Sequence, residues 1–490
     1  MAFLITGVCD PSHGAKVQAR ITIKRMRRSD EYRTKCFRVT LILVGLATAC
    51  FSQSPVRTEF ISLESAQPVL KGMSDALPPD LKATGPLDAA KWLAWVKSND
   101  YQVRDRLIRG EEDTLVNLLR FGVTFTKEYR IGDEYLLRYG QSSLVNAFAE
   151  NRANDLIRAW RGPNPSEGLI EMRSFVEKHG HSLGTLRERS ETKKYLLDSL
   201  ARLRDEFLKY KSQPKDENRF QLFQDRGISL DTNLWPHYLL DATFRSLMEK
   251  GMLKPGGVRR IAIVGPGLDF ANKEAGNDFY PPQTIQPFAV LDSLIRLGIA
   301  NPGTVELDTL DISENVNVHV SRIRRAAAEG QSYTLQLPWN SERPMSVEYR
   351  THFIEYWEKL GDRIGQPVAP IPVPEAAAST RTRAVKVRPE VVMRVVPLDL
   401  NVVYQRVSLP ADRAYDLVIG TNIFVYYGAF EQSLARANLS TMMRPGGFLI
   451  SNDKLPEQVS SGLNDALDVP VISSDQPLVQ DIAFCYRRTD

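Results

Sequence analysis

Arg259-Arg260-Ile261-Ala262-Ile263-Val264-Gly265-Pro266-Gly267-Leu268-Asp269 is the stretch that decides the fold of this 490-residue chain. Its first part, 259–264, is a short strand-like run whose last four residues, Ile261–Val264, are apolar in succession, the composition of a strand buried on both faces. Two glycines follow at once, and glycine at the end of a strand lets the backbone approach a ligand with no Cβ in the way. Downstream, apolar runs alternate with helical patterns. A helix is expected over 284–297, a strand over 305–311, a helix over 316–328, and strands over 391–398 and 415–420. A helix over 430–443, a strand over 448–451 and closing strands at 471–473 and 482–486 complete the series. Such alternation predicts an α/β domain, a parallel sheet covered on both faces, over 251–490. An insertion over 339–389 interrupts it with one helix, 347–360, and a Pro/Ala-rich loop, 366–380.

In open α/β sheets ligands bind outside the carboxyl ends of the strands, at the switch point. The unusual residues fall there. Gly265 and Gly267 end the first strand. Asp311 ends the second, where a carboxylate either accepts hydrogen bonds from both hydroxyls of a ribose or caps the next helix. Asp399 and Leu400 end the third, a carboxylate for an exocyclic amino group beside an apolar seat for a ring. Thr421 and Asn422 follow the fourth, with Phe424, Tyr426 and Tyr427 just beyond.

These residues occur in a telling order: Gly265-Pro-Gly267, Asp311, Pro397-Leu-Asp399-Leu, Tyr415-Asp-Leu-Val-Ile-Gly-Thr-Asn422 and Met443-Arg-Pro-Gly-Gly-Phe-Leu-Ile450. The C-terminal half thereby resembles the class I S-adenosylmethionine-dependent methyltransferases. The segment 415–427 is similar to the strand-four signature of the chemotaxis-receptor carboxyl methyltransferases. The resemblance implies a Rossmann-like seven-stranded methyltransferase sheet and S-adenosylmethionine as cofactor. It places Gly265 and Gly267 beside the methionine part, Asp311 at the ribose and Asp399 with Leu400 at the adenine. Thr421 and Asn422 complete the cofactor set, Asn422 near the sulfonium. The chain departs from the family pattern at Ile263 and Val264, where an acid usually precedes the first glycine, and at Asp269, where a third glycine often stands. A polar loop, 270–282, carrying Asp278 and Tyr280, then delays the helix, either as a lid or acceptor-binding segment or as a replacement for the cofactor-binding turn.

The expected activity is transfer of a methyl group to oxygen or nitrogen by in-line displacement. The acceptor, a small molecule or a protein side chain, is unknown. No general base is evident, since His319 and His352 fall in helical patterns; Asp269, Tyr426 and Tyr427 are the candidates to orient the acceptor. The contrasting reading is a non-catalytic exported binding or scaffold protein that keeps the fold without the reaction. A nicotinamide-dependent dehydrogenase is disfavoured, because the third glycine of GxGxxG is missing.

Composition excludes other classes. Sixty-three basic against 59 acidic residues leave a net charge of +4, and much of the excess lies in Lys24, Arg25, Arg27 and Arg28, which gives no case for nucleic acid. Cys9, Cys36, Cys50 and Cys485 are too scattered for a zinc site or a disulfide framework. His179 and His181 lack an acidic or thiol neighbour, so no metal site is expected.

Residues 1–50 read as a signal-like segment: basic residues after Met26, an apolar run over 39–46, then Ala47-Thr48-Ala49 before Cys50. The run is too short for a membrane span, so membrane contact is expected only through this segment. Cleavage after Ala49 places the chain in the cell envelope or outside the cell, lipid-anchored if Cys50 is acylated; without cleavage the chain is cytoplasmic. The polar, proline-containing stretch 51–86 reads as a linker and 87–250 as a helical domain. In the latter Asp88 caps a helix bearing Trp92, Leu93, Trp95 and Val96, and a second helix covers 111–121.

Overall fold

Successive residues of the first sheet strand face opposite layers, and that alternation organises the molecule. The computed structural model describes residues 58–211, 227–228, 234–269, 278–340, 348–378, 380–457, 462–476 and 478–489; the signal-like segment lies outside them. In chain order come β1 (Thr58–Phe60), α1 (Leu63–Gly72), α2 (Pro79–Ala83), α3 (Ala89–Phe121), α4 (Asp133–Arg138), α5 (Ser143–Trp160), α6 (Glu167–Lys178), α7 (Leu186–Lys211) and α8 (Trp235–Glu249). Then follow β2 (Arg260–Val264), α9 (Gln286–Arg296), β3 (Glu306–Asp311), α10 (Glu314–Ala328), β4 (Tyr333–Asn340), β5 (Glu348–Tyr349), α11 (Thr351–Lys359), β6 (Gly365–Val368) and β7 (Thr380–Val387). The chain closes with α12 (Pro389–Val392), β8 (Val395–Asp399), β9 (Gln405–Val407), β10 (Tyr415–Gly420), α13 (Ala429–Met442), β11 (Met443–Ser451), β12 (Leu463–Gln476) and β13 (Leu478–Arg488).

The main sheet has the order β5-β12-β13-β11-β10-β2-β3-β8. Its five strands from β8 to β11 are parallel, and β13 pairs antiparallel with β11 and with β12. Seven long strands and the two-residue β5 at the edge make the α/β, Rossmann-like, methyltransferase-type sheet that the alternation and the resemblance imply. The chain runs outward from β2 through β3 to β8, then returns to lay β10 on the other side of β2. The order therefore reverses between β2 and β10, and a crevice opens at their carboxyl ends.

Side-chain alternation builds one core on each face. Ile261, Ile263, Leu417, Ile419, Phe448 and Ile450 pack with α8, α9, α10 and α11. Ala262, Val264, Val418 and Leu449 pack on the opposite face with α1, the first half of α3, and α13. A third core is mainly helical, built from Leu115, Leu118, Leu119, Trp160, Leu196 and Leu200 among others.

Five expectations change. The stretch read as a linker is folded from Thr58 onward: β1 pairs with β9, and Ile61, Ala66, Val69 and Leu81 are buried against the sheet. The two expected N-terminal helices are one 33-residue helix, α3, capped by Asp88 through Lys91 N–H (2.8 Å). The charges at Asp100, Arg104 and Arg106 break its apolar stripe in sequence, but in space they are spent on the edge of the sheet. α8 packs on the sheet, so the helical core ends with α7. The insertion begins earlier than expected: β4, β7 and β6 form a small antiparallel sheet from Tyr333 to Val387, and α12 precedes β8. The closing strands are also longer, because β12 and β13 form a hairpin of 14 and 11 residues.

Candidate functional site

At the crevice, Gly265 and Gly267 both adopt left-handed backbone angles, φ 59° and 72°, a region open to glycine at little cost. Gly265 N–H donates to the Leu310 carbonyl (2.9 Å), and a Cβ on Gly265 would stand 2.2 Å from Ile423 Cδ1. The turn is therefore held against both neighbouring strand ends. Gly265→Ala is expected to raise the backbone energy by about 1–2 kcal/mol and to drive Ile423 into the cleft. A lowered melting temperature together with lost ligand binding is the signature to measure.

Asp311 ends β3 and is 6% exposed. Its carboxylate accepts from Ser313 N–H (2.8 Å), and the N–H of Gly267 also favours its ionised form. Ser313 itself caps α10 through Val316 N–H (3.4 Å), so Asp311 is not the helix cap. Burial pushes the Asp311 carboxyl up to about 7, with the Ser313 N–H opposing the rise and the charge of Asp399 adding to it.

A cleft of about 490 Å³, its open mouth included, lies over these residues. Gly265, Gly267, Asp311, Leu400, Tyr426 and Tyr427 line it together, along with Ile312, Asn401, Val402 and Ile423. Asn401 is fixed on both sides: its Nδ2 donates to Asp100 (2.8 Å) and its Oδ1 accepts from Val403 N–H (3.1 Å). Burial holds the Tyr427 hydroxyl in its protonated form, which suits a hydrogen-bond donor and not a base.

The other expected residues lie elsewhere. Asp399 is not among the residues lining the cleft; it pairs with Arg104 of α3 (2.8 Å), its side chain 62% exposed. Thr421 is buried and accepts from Gln286 Nε2 (2.8 Å). Asn422 is exposed, with φ 59°, and exchanges two hydrogen bonds with Asn452 (2.7 and 2.8 Å). Asp269 is buried behind the glycine turn, where it accepts from Tyr280 OH (3.1 Å) and Gln283 Nε2 (3.1 Å). Asp278 is tied to the helical part through Val123 N–H, Thr124 N–H and the Thr124 hydroxyl (2.9, 3.1 and 2.6 Å), and residues 270–277 of the expected lid lie outside the described residues.

Two lining residues come from the part of the chain before β2: Leu107 of α3 and Ile228. Neither has a local sequence signature, since each is one apolar residue brought in by tertiary packing. Asn401, by contrast, directly follows Asp399-Leu400 and was within reach of the strand-end argument. Among the described residues no group of three or more His, Cys, Asp or Glu is placed to hold a metal, and no helix is long and apolar enough to cross a membrane.

No protein-family model matches the chain, and no curated protein does. Among solved structures, it is similar to the N-methyltransferase NodS from Bradyrhizobium japonicum WM9, at 11% identity over 56% of this chain and 100% of that one, TM-score 0.24. It is also similar to magnesium protoporphyrin IX methyltransferase (ChlM) from Synechocystis PCC 6803 with bound SAH, at 11% identity over 55% and 93%, TM-score 0.24. A third is the glycopeptide N-methyltransferase MtfA complexed with (S)-adenosyl-L-methionine, at 9% identity over 51% and 94%, TM-score 0.24. Likeness at this level carries no argument about chemistry, and the fold of this chain rests on its own strand order.

Proposed function

We propose that the cleft binds S-adenosylmethionine and that the protein transfers its methyl group to an oxygen or nitrogen acceptor. The observation that carries this is Asp311: a buried carboxylate at the end of β3, within one cleft with two left-handed glycines and the apolar Leu400. The residues suit the ligand. The Asp311 oxygens retain acceptor capacity for ribose hydroxyls beyond the Ser313 bond. The Gly265–Gly267 turn leaves the backbone accessible where a Cβ would intrude. Leu400, Ile312 and Val402 offer an apolar seat for a purine. Asn401 is held by Asp100, so its backbone beside that seat is fixed.

The ligand supplies an activated methyl group on its sulfonium, so the protein's task is orientation and exclusion of water. Tyr426 and Tyr427 line the cleft on the β10 side and are the residues proposed to orient the acceptor. Asp269, buried and held by Tyr280 and Gln283, is better read as bracing the glycine turn than as touching the acceptor.

The test is thermal unfolding of the full chain with S-adenosylhomocysteine. At about 100 times its dissociation constant the ligand contributes roughly 2.7 kcal/mol, and no shift at millimolar ligand refutes the reading. The second reading, a protein that keeps the sheet without the reaction, has one observation in its favour: the Arg104 pair occupies Asp399, the group expected at the adenine. Binding without release of label from methyl-labelled donor to any acceptor would support it.

A further inference from the structure

The middle turns of α3 cross the mouth of the cleft and are tied to both of its banks. On the β3–β8 side, Arg104 donates to Asp399 (2.8 Å) and to the Ile312 carbonyl (3.3 Å). On the β10 side, Arg106 donates to the Tyr426 carbonyl (3.0 Å). The next residue, Leu107, lines the cleft. Ile228 lines it too, hung from α3 by its N–H on the Arg106 carbonyl (3.1 Å). Both side chains are nearly buried, 8% and 6% exposed. The two backbones cross this closely because each is glycine at the contact. A Cβ on Gly110 would stand 1.8 Å from the Ile228 carbonyl oxygen, and one on Gly227 would stand 2.3 Å from the Gly110 nitrogen.

We propose that Leu107 and Ile228 are donor-binding residues, an apolar wall that the N-terminal part of the chain adds to the cleft of the sheet. The proposal rests on the reading that the cleft holds S-adenosylmethionine. The sheet side supplies the polar group, Asp311, and the apolar seat around Leu400. The wall removes water from the remaining side, and apolar area removed from water is the largest general contribution to small-ligand affinity. The glycine crossing sets the position of the wall, since it fixes how near Ile228 comes to α3. Residues 251–490 alone therefore lack part of the donor site, and the binding unit includes α3.

Calorimetric titration of the full chain with S-adenosylhomocysteine tests this. Ile228→Ala and Leu107→Ala are expected to bind about tenfold more weakly, and Ile228→Val nearly as the wild type. Gly110→Ala is expected to weaken binding by a similar factor although it touches no ligand and favours the helix, because its methyl group displaces the Ile228 backbone. If the wild type binds while Ile228→Ala and Gly110→Ala bind within about twofold of it, the wall is refuted and the donor reading stands. If the wild type does not bind at millimolar ligand, the donor reading fails and the wall falls with it. Should the alanine variants not fold, Ile228→Thr keeps the branched shape and puts a hydroxyl at the cleft; unchanged affinity in that variant overturns the proposal as well.

Discussion

Asp311→Asn is expected to make the ligand-free protein more stable at pH 8 and to remove most of its affinity for S-adenosylhomocysteine. Burial holds the Asp311 carboxyl at about 7 in the folded chain, against about 3.9 when unfolded. Between those values the folded chain retains a proton that the unfolded chain releases. Stability is therefore lost as pH rises through roughly 4 to 7. The interval sets an upper bound of roughly 4 kcal/mol on the loss, and the neutral amide, which keeps an acceptor for Ser313 N–H, should recover about 1–3 kcal/mol of it. Glu171, Asp292 and Asp453 are also pushed up by burial, to about 7, 6 and 6. The difference between variant and wild type, measured from pH 5 to pH 8, isolates Asp311. A variant that melts lower than wild type at pH 8 would show that the carboxylate is better satisfied than its burial indicates. An unfavourable buried charge that a ligand's hydroxyls would relieve is what a binding group is expected to look like.

Arg152→Ala is expected to produce the largest loss of stability, about 3–5 kcal/mol. The Arg152 side chain is fully buried in the helical part. Its Nε donates to the Leu119 carbonyl (2.5 Å), Nη2 to Gly122 (2.5 Å), and Nη1 to Glu128 and Tyr129 (2.9 and 3.4 Å). The guanidinium also lies over the Phe125 ring, 5.2 Å from its centre. Burial pulls it down to about 10, with Asp278 opposing, so it remains charged at neutral pH. One cation thus satisfies the carbonyls where α3 ends and the chain turns. Arg152→Met restores the volume but none of the donors, so it should be nearly as damaging; a urea midpoint close to wild type for Met would show that packing, and not the carbonyls, is what matters. The same turn gives Val123 and Thr124 to Asp278, so loosening it should also weaken the hold on Asp278.

The sequence carried the parts of this molecule that local physics controls. Buried strands announce themselves by short apolar runs, and IAIV (261–264) and LVIG (417–420) sit in β2 and β10 where their composition puts them. Asp311 and Leu400 line the cleft because a residue at a strand end has few places to go. Asp399 was legible as a strand end but not as a partner of Arg104, since the cation comes from a distant helix. α3 was read as two helices for the same reason, its mid-helix charges being answered only by the sheet. The prolines and polar residues of 58–86 hid a strand and two helices, and the buried positions of this stretch, such as Ile61, Val69 and Leu81, are too widely spaced to form a pattern. Leu107 and Ile228 carry no signal at all, because a single leucine and a single isoleucine look like core anywhere.

The Gly110–Gly227 contact has a bearing on how the chain is divided. Residues on both sides of it belong with the sheet, since Leu107 and Ile228 share its core, whereas the helical core runs from Leu115 to Leu203. The helical part is thus an excursion whose ends meet, in the manner of a domain spliced into a host, and not a unit placed before one. Its removal leaves two backbone ends already side by side, so a short glycine bridge could rejoin them across the excised stretch.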